Sequence, residues 1–375
     1  MGEFACRACR GQTGHLVLDL GEQPACDYFP PCADPGPDRL YPLQMWLCSS
    51  CGLAQLAAGA TVPKERKDAA PAALVAHAAD AVRRVAAAGL LPDGGRVAEY
   101  SSPHGGSWLG LLADRGLTPV HDGGPADVVL DCFGMMHAAD QSAALTERVA
   151  RVVPRGALLL QYHSLETIVR YGQWNALRHG HYAYYSTTAL IFMLAAHGFS
   201  PSTAWRFELY GGTVLLAARR AAESSAGPDG TIRALLAEDA RASVLDPAMV
   251  LGLQVSARAH AKSLHDWLAS ERSAGRTVLG YGAASRAVAL LRRAEADRTL
   301  LPAVADASAV KQGSRMPGTN IPIVHPTELA VRLPDAVLVL QAELLTEVRA
   351  AFPEIEAAGG RWVDVDTLSY CAASR

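Results

Sequence analysis

The sequence predicts an α/β chain in three parts, a cysteine-bearing N-terminal module followed by two domains of alternating strands and helices. Three observations carry this expectation. Two Cys-x-x-Cys pairs, Cys6/Cys9 and Cys48/Cys51, bracket a module over residues 1–62. From about 96 to 220, short apolar runs alternate with stretches of helical periodicity. A loop rich in Ser, Gly and Pro at 223–230 marks a boundary, and beyond it the alternation begins again. At 375 residues the chain can bury more than one core.

The first module reads "CRAC", "LVLDLGEQP", the Pro-rich "FPPCADPGPD" and "YPLQMWLCSSCGLAQL". Its apolar periodicity is too weak for a free-standing core, so a bound ion is expected to hold it together. A two-residue gap lets both thiolates of a pair face one ion. Cys6, Cys9, Cys48 and Cys51 then form the closed four-sulfur set of a structural Zn²⁺. Cys26 and Cys32, in the intervening loop, are alternative ligands that lack the paired spacing. The stretch "PAALVAHAADAVRRVAAAG" places Leu74, Val75, Ala78, Val82 and Val85 at helical spacing.

The central domain, 63–222, starts with the strand "RVAEY" and a helix over 107–115 with Trp108, Leu109 and Leu112 on one side. "TPVHD", "ADVVLDC", a helix near 140–152, "ALLLQYH" and the helix "STTALIFMLAAHG" follow. The domain closes with "TAWRFEL" and "GTVLLAAR", two strands separated by Tyr210 and Gly211 as in a hairpin. That order is doubly wound and Rossmann-like, with an antiparallel edge. The third part, 231–375, has a long helical stretch at 247–273 carrying Val250, Leu253, Leu264, Trp267 and Leu268. A second Rossmann-like unit then runs through "TVLGYGAASRAVALL", "LPAVADAS", "DAVLVLQ", a helix in "LLTEVRAAFPEIEAAGG" and the strand "RWVDV".

A formal charge of −3 without clustered Lys and Arg argues against a nucleic-acid partner. No apolar run approaches the roughly 20 residues that span a bilayer, and "MGEFACRACRG" lacks a signal-peptide segment. The expectation is a cytoplasmic protein in a reducing compartment. There the eight cysteines serve as thiolate ligands or buried small residues rather than disulfides.

Two segments carry candidate chemistry. "GYGAASRA", Gly280 to Ala287, links a strand to a helix, where small residues let backbone N–H groups face a phosphate. A plain tight turn needs glycine as well. "RHGHYAYYS", Arg178 to Ser186, sets His179 and His181 around Gly180 at the carboxyl edge of the sheet, where open α/β folds place ligands. Imidazole there suits proton transfer near neutral pH, and aromatic packing is the alternative. A two-histidine metal site lacks an evident third ligand.

Almost end to end, the chain resembles the three-domain S-adenosylmethionine (SAM)-dependent C-methyltransferases that methylate nucleotide-linked keto-deoxysugars in antibiotic pathways. The resemblance rests on "LCSSCGLAQL", "GYGAASRA", "GGRWV" and the complete D-x-S-x-x-K-Q-G-x-x-x-P-G-T run from Asp306 to Thr319. It implies zinc at the four cysteines, a methyltransferase-type central domain, and a nucleotide-sugar pocket to which Gly282, Arg286 and Lys311 contribute. The family's cofactor motif E-I-G-S-N-D-G aligns with Glu99, Tyr100, Ser101, Ser102, Pro103, His104 and Gly105, so the glutamate and the last glycine survive while the close-approach glycine, the asparagine and the aspartate do not. Asp122 is placed to meet a ribose, yet "GGPADVVL" follows so soon that a helix and strand of the adenine pocket are missing. In place of the family's Y-H-E-H-x-S-Y-F-S stand Arg178 to Ser186, including Tyr184, and H-G-G-S has become Tyr210 to Thr213.

These departures predict weak or absent SAM binding at a vestigial site of Glu99, Ser101, Gly105 and Asp122. Three readings follow: a retained SAM-dependent sugar C-methyltransferase, a SAM-independent acid/base enzyme, and a non-catalytic partner of a biosynthetic enzyme. The surviving histidines favour the second, an isomerisation, elimination or cyclisation on a nucleotide-linked sugar or related intermediate. In it His181 is the main acid/base group, His179 the second, and Arg178 holds developing negative charge. Tyr184 and Tyr210 are expected at the substrate, and the family leans to a monomer or homodimer.

Overall fold

A computed structural model of the chain describes residues 4–57, 72–100, 106–223 and 227–370. In the N-terminal module β1 (Gly14–Pro24), β2 (Leu40–Cys48) and β3 (Ala54–Leu56) form an antiparallel sheet. Its inner face is better packed than the sequence suggests. Val17, Leu18, Leu20, Leu43, Met45 and Leu47 are buried in one core with Leu253, Leu264 and Leu268 of the helix Gly252–Ser273. The pattern was hidden because register shifts at Leu16/Leu18 and Asp19/Glu22 break the two-residue alternation of β1. The module therefore borrows a core from a distant part of the chain and does not rely on an ion alone.

The central sheet has the expected doubly wound plan. It contains β4 (Arg96–Tyr100), β5 (Thr118–Pro119), β6 (Ala126–Cys132) and β7 (Val152–His163). Next along the chain, β8 (Ala183–Tyr184) leaves this sheet and pairs antiparallel with β3, Ala54 opposite Tyr184, as the fourth strand of the N-terminal sheet. β9 (Phe199–Phe207) and β10 (Thr213–Arg220) complete the central order β5-β4-β6-β7-β10-β9. The first four strands run parallel, while β10 is antiparallel to both β7 and β9, as the hairpin reading required. β5 is an edge strand among the described residues.

Helices flank this sheet, and their ends follow from capping. Asp140 accepts from the Ala143 N–H to start Gln141–Arg151, and Ser186 accepts from Ala189 to start Thr187–Ala196. The helix expected over 107–115 is only Leu109–Ala113. The Glu99 carboxylate takes the Trp108 N–H at 2.7 Å and the Ser107 hydroxyl at 2.5 Å, fixing its start.

In the third part the stretch 247–273 divides into Pro247–Val250 and Gly252–Ser273, after a helix Gly230–Arg241 that the sequence reading omitted. β11 (Val278–Tyr281), β12 (Val304–Ala305), β13 (Ile323–Val324), β14 (Ala336–Val339) and β15 (Arg361–Asp364) make an all-parallel sheet ordered β13-β12-β11-β14-β15. β13, two residues long, was also absent from the sequence reading. Among the described residues no helix is long and apolar enough to cross a membrane.

Candidate functional site

The four predicted cysteines converge. Their sulfur atoms all lie within 4.8 Å of one another, with Cys6 Sγ to Cys51 Sγ 3.5 Å and Cys9 Sγ to Cys48 Sγ 3.6 Å. A tetrahedral Zn²⁺ with bonds of about 2.3 Å needs sulfurs about 3.8 Å apart, so the cage fits that ion. Two knuckle turns build it. The Ser50 N–H points at Cys48 Sγ (3.4 Å), and Gly52, at φ +71°, returns its N–H to the Cys48 carbonyl (3.0 Å). Hydrogen bonding with Cys51 pulls the Cys6 thiol down to about 5. Cys6, Cys48 and Cys51 are buried, which suits a closed structural centre. Cys26 and Cys32 stand apart, facing the carbonyls of His179 and Ser314.

A narrow cleft opens at the carboxyl edge of the central sheet, walled on one side by Arg286 of the third domain. It gathers five predicted site residues: Arg178, His181, Tyr184, Tyr210 and Arg286. The His181 N–H donates to the Arg178 carbonyl (3.3 Å), and its ring stacks on Tyr184 (centroids 6.5 Å apart). The His137 ring meets His181 edge-on at 4.4 Å, and its Nδ1 lies 2.9 Å from the Gly180 carbonyl, which makes Nδ1 the donor. The Tyr184 hydroxyl accepts the Arg178 N–H (3.0 Å), and burial raises this phenol, so it stays protonated. Arg286 ion-pairs with Glu343 at 2.9 Å and lies 5.7 Å from the Tyr210 ring centre.

Sequence reasoning missed His163, Gln173, Asn175 and Phe133, which also line the cleft. His163 could have been found, because it is the polar residue that ends the apolar strand β7 at the ligand edge. Its Nε2 lies 2.9 Å from Gln173 Oε1, and burial, with Arg286 and Arg178 nearby, lowers its pKa to about 3. Phe133 and Tyr210 adopt left-handed backbone (φ 61° and 56°) and meet edge-to-face at 5.8 Å. That conformation cannot be read from residue type.

Several predicted residues lie elsewhere. His179 does not line the cleft; it is buried against Tyr41, with ring centres 5.9 Å apart, and burial lowers its pKa. Gly180, at φ +81°, turns the chain between the two histidines and sends them to different surroundings. Gly282 and Lys311 are also outside the cleft lining. Lys311 donates to the Ala283 carbonyl (2.8 Å) and sits over the Phe29 ring. The phosphate reading of "GYGAASRA" meets a turn already filled by the chain's own carboxylates. Asp306 takes the Ala283 N–H (2.6 Å), Asp27 the Ser285 hydroxyl, and Glu343 the Arg286 guanidinium.

A second cavity, about 450 Å³, lies at the carboxyl ends of β4 and β6, lined by His77, Trp108, Asp114, Cys132, Phe133 and Gln161 among others. Its position and size suit a nucleoside-bearing cofactor. Both Glu99 oxygens are committed to Ser107 and Trp108, and exposed Asp122 accepts the Gly124 N–H (3.0 Å). Ser101 and Gly105 lie outside the described residues. Phe133 lines this cavity and the cleft alike.

Known proteins place this architecture. A family model described as "C-methyltransferase C-terminal domain" matches residues 208–365, and one described as "Putative zinc binding domain" matches 6–65. The C-methyltransferase NovU of Streptomyces niveus is 23% identical over 412 aligned residues, covering 96% of this chain and 94% of that protein. Magnesium protoporphyrin IX methyltransferase from Synechocystis PCC 6803, solved with bound SAH, is 14% identical over 39% of this chain and 82% of its own, TM-score 0.29. An O-methyltransferase family protein from Burkholderia thailandensis is 16% identical over 39% of this chain and 57% of its own, TM-score 0.30. With both end domains matched and a full-length relative of the same kind, the chain is similar along its length to zinc-module C-methyltransferases.

Proposed function

We propose that the chain is a SAM-dependent C-methyltransferase acting on a small molecule bound in the cleft. The observation that carries this reading is that Phe133 lines both cavities, one of a size that suits a cofactor and one holding His181. The cofactor cavity fits SAM by volume and place, with Asp114 and Gln161 as polar groups on its wall. SAM supplies an electrophilic methyl group. The chain's own part is to make a carbon nucleophilic. His181 takes a proton from a carbon beside a carbonyl, and Arg178 counters the charge that develops on oxygen. His137, edge-on to His181, orients that ring. The nucleotide-linked sugar implied by the resemblance belongs to this proposal as one substrate class.

Calorimetric titration of SAM into the zinc-loaded chain tests the reading, and saturable binding at micromolar concentration is expected. Absence of saturation below millimolar SAM would turn the reading to SAM-independent acid/base chemistry. One observation favours that second reading: Glu99, the retained acidic residue of the cofactor motif, is spent on capping a helix.

A further inference from the structure

We infer that the cleft selects a substrate bearing its own carboxylate close to the reacting carbonyl, seated on the Arg178 guanidinium. The inference rests on the reading of this cleft as the substrate site. The cleft lining holds two guanidinium groups and no carboxylate. Arg286 is already paired with Glu343. Among the described residues Arg178 has no ion pair, and its Nε is buried without a hydrogen-bond partner. Asp27, an acidic neighbour of this region, accepts the Ser285 hydroxyl through Oδ1 and is not ion-paired with Arg178.

The two fully buried arginines among the described residues are matched internally. Arg148 meets Asp131 at 2.6 Å, and Arg315 meets Asp38 at 2.6 Å. Arg178 is half-buried, but its Nε is sealed from water with no partner, and an unmatched donor at a ligand cleft points to an anion brought by the ligand. The planar fork suits a carboxylate, which takes two donors and leaves others for the carbonyl. Across the cleft, the His163 ring is held neutral by burial and by both arginines, so it does not compete for the anion. Arg178 and His181 line the same narrow space, so anion and proton-losing carbon belong to one small molecule.

The probes are acetoacetate, its neutral methyl ester and inorganic phosphate, titrated calorimetrically at low salt into the zinc-loaded full chain. Acetoacetate is expected to bind about 10-fold or more tightly than the ester, a preference lost in Arg178→Met and kept in part by Arg178→Lys. His181→Ala should keep the preference, because the seat is separate from the base. Equal binding of acid and ester, an unchanged preference in Arg178→Met, or no binding of acetoacetate overturns the inference. Phosphate binding as tightly, with the same Arg178 dependence, overturns the carboxylate assignment. Circular dichroism checks the Met variant, and if it fails to fold, the acid-to-ester ratio in wild type and the Lys variant decides. Failure of SAM binding with the anion preference intact fells the methyltransferase reading alone, and the converse fells only the seat.

Discussion

Asp38→Ala should unlatch the N-terminal module from the third domain. The Arg315 guanidinium, 5% exposed, grips the Asp38 carboxylate through Nη1–Oδ2 at 2.7 Å and Nη2–Oδ1 at 2.6 Å. The Gly318 N–H adds a third bond to that carboxylate at 2.6 Å. Gly318 is itself required, since at φ +73° a Cβ would come within 2.9 Å of Pro24. Removing one partner of a buried pair costs about 3–5 kcal/mol. Arg315 keeps the carbonyls of Asp34 (2.7 Å) and Thr319 (3.1 Å), so the lower end, about 3 kcal/mol, is expected. Burial raises the Asp38 pKa, but Arg315 and the Gly318 N–H outweigh it and hold the group below its usual range. The contribution is therefore full above about pH 4 and is lost as pH falls through the folded-state pKa. Urea unfolding of the zinc-loaded chain, with hydrogen exchange read at 28–38 and 313–319, measures the penalty. Arg315→Met and the double variant complete the cycle. A penalty under about 1 kcal/mol at pH 7, or a coupling near zero, would refute the assignment of these bonds as a buried latch.

Metal analysis of chelator-free protein should find one zinc per chain, and substoichiometric metal would count against the four-sulfur site. Chelation should loosen not only the module but also residues 178–186, because β8 pairs with β3; hydrogen exchange at Tyr184 reads this. Replacing His181 by alanine should lower turnover about 10²–10⁴-fold with the fold intact, and native turnover would mean the loop is packing. Stability should fall as pH drops from about 6.5 towards 4. Burial lowers His77 to about 4 and His163 to about 3, so in that window the unfolded chain binds protons that the folded chain refuses. The slope is at most about 1.4 kcal/mol per pH unit for each ring. Melting temperatures across a pH series, compared with His77→Leu, should show a shallower acid slope in the variant.

Local chemistry in the sequence determined the cysteine cage, the doubly wound order and the hairpin edge. Each depends on spacing within a few residues, as in the two-residue gaps of Cys6/Cys9 and Cys48/Cys51 or the apolar run of β7. The histidine loop was also legible as a ligand-edge feature, and His181 lines the cleft. Which histidine faces it was decided by Gly180 and by the pairing of β8 with β3, a long-range contact between two short strands that carry no periodic signal. Only the tertiary structure showed that the "GYGAASRA" donors are taken by Asp27, Asp306 and Glu343, because one of those carboxylates lies more than 250 residues away in the chain. It alone brought Phe133, His163 and Arg286 to one cleft and left the Arg178 Nε without a partner among the described residues. Charge pairing depends on distance in space, and residue spacing along the chain does not record it.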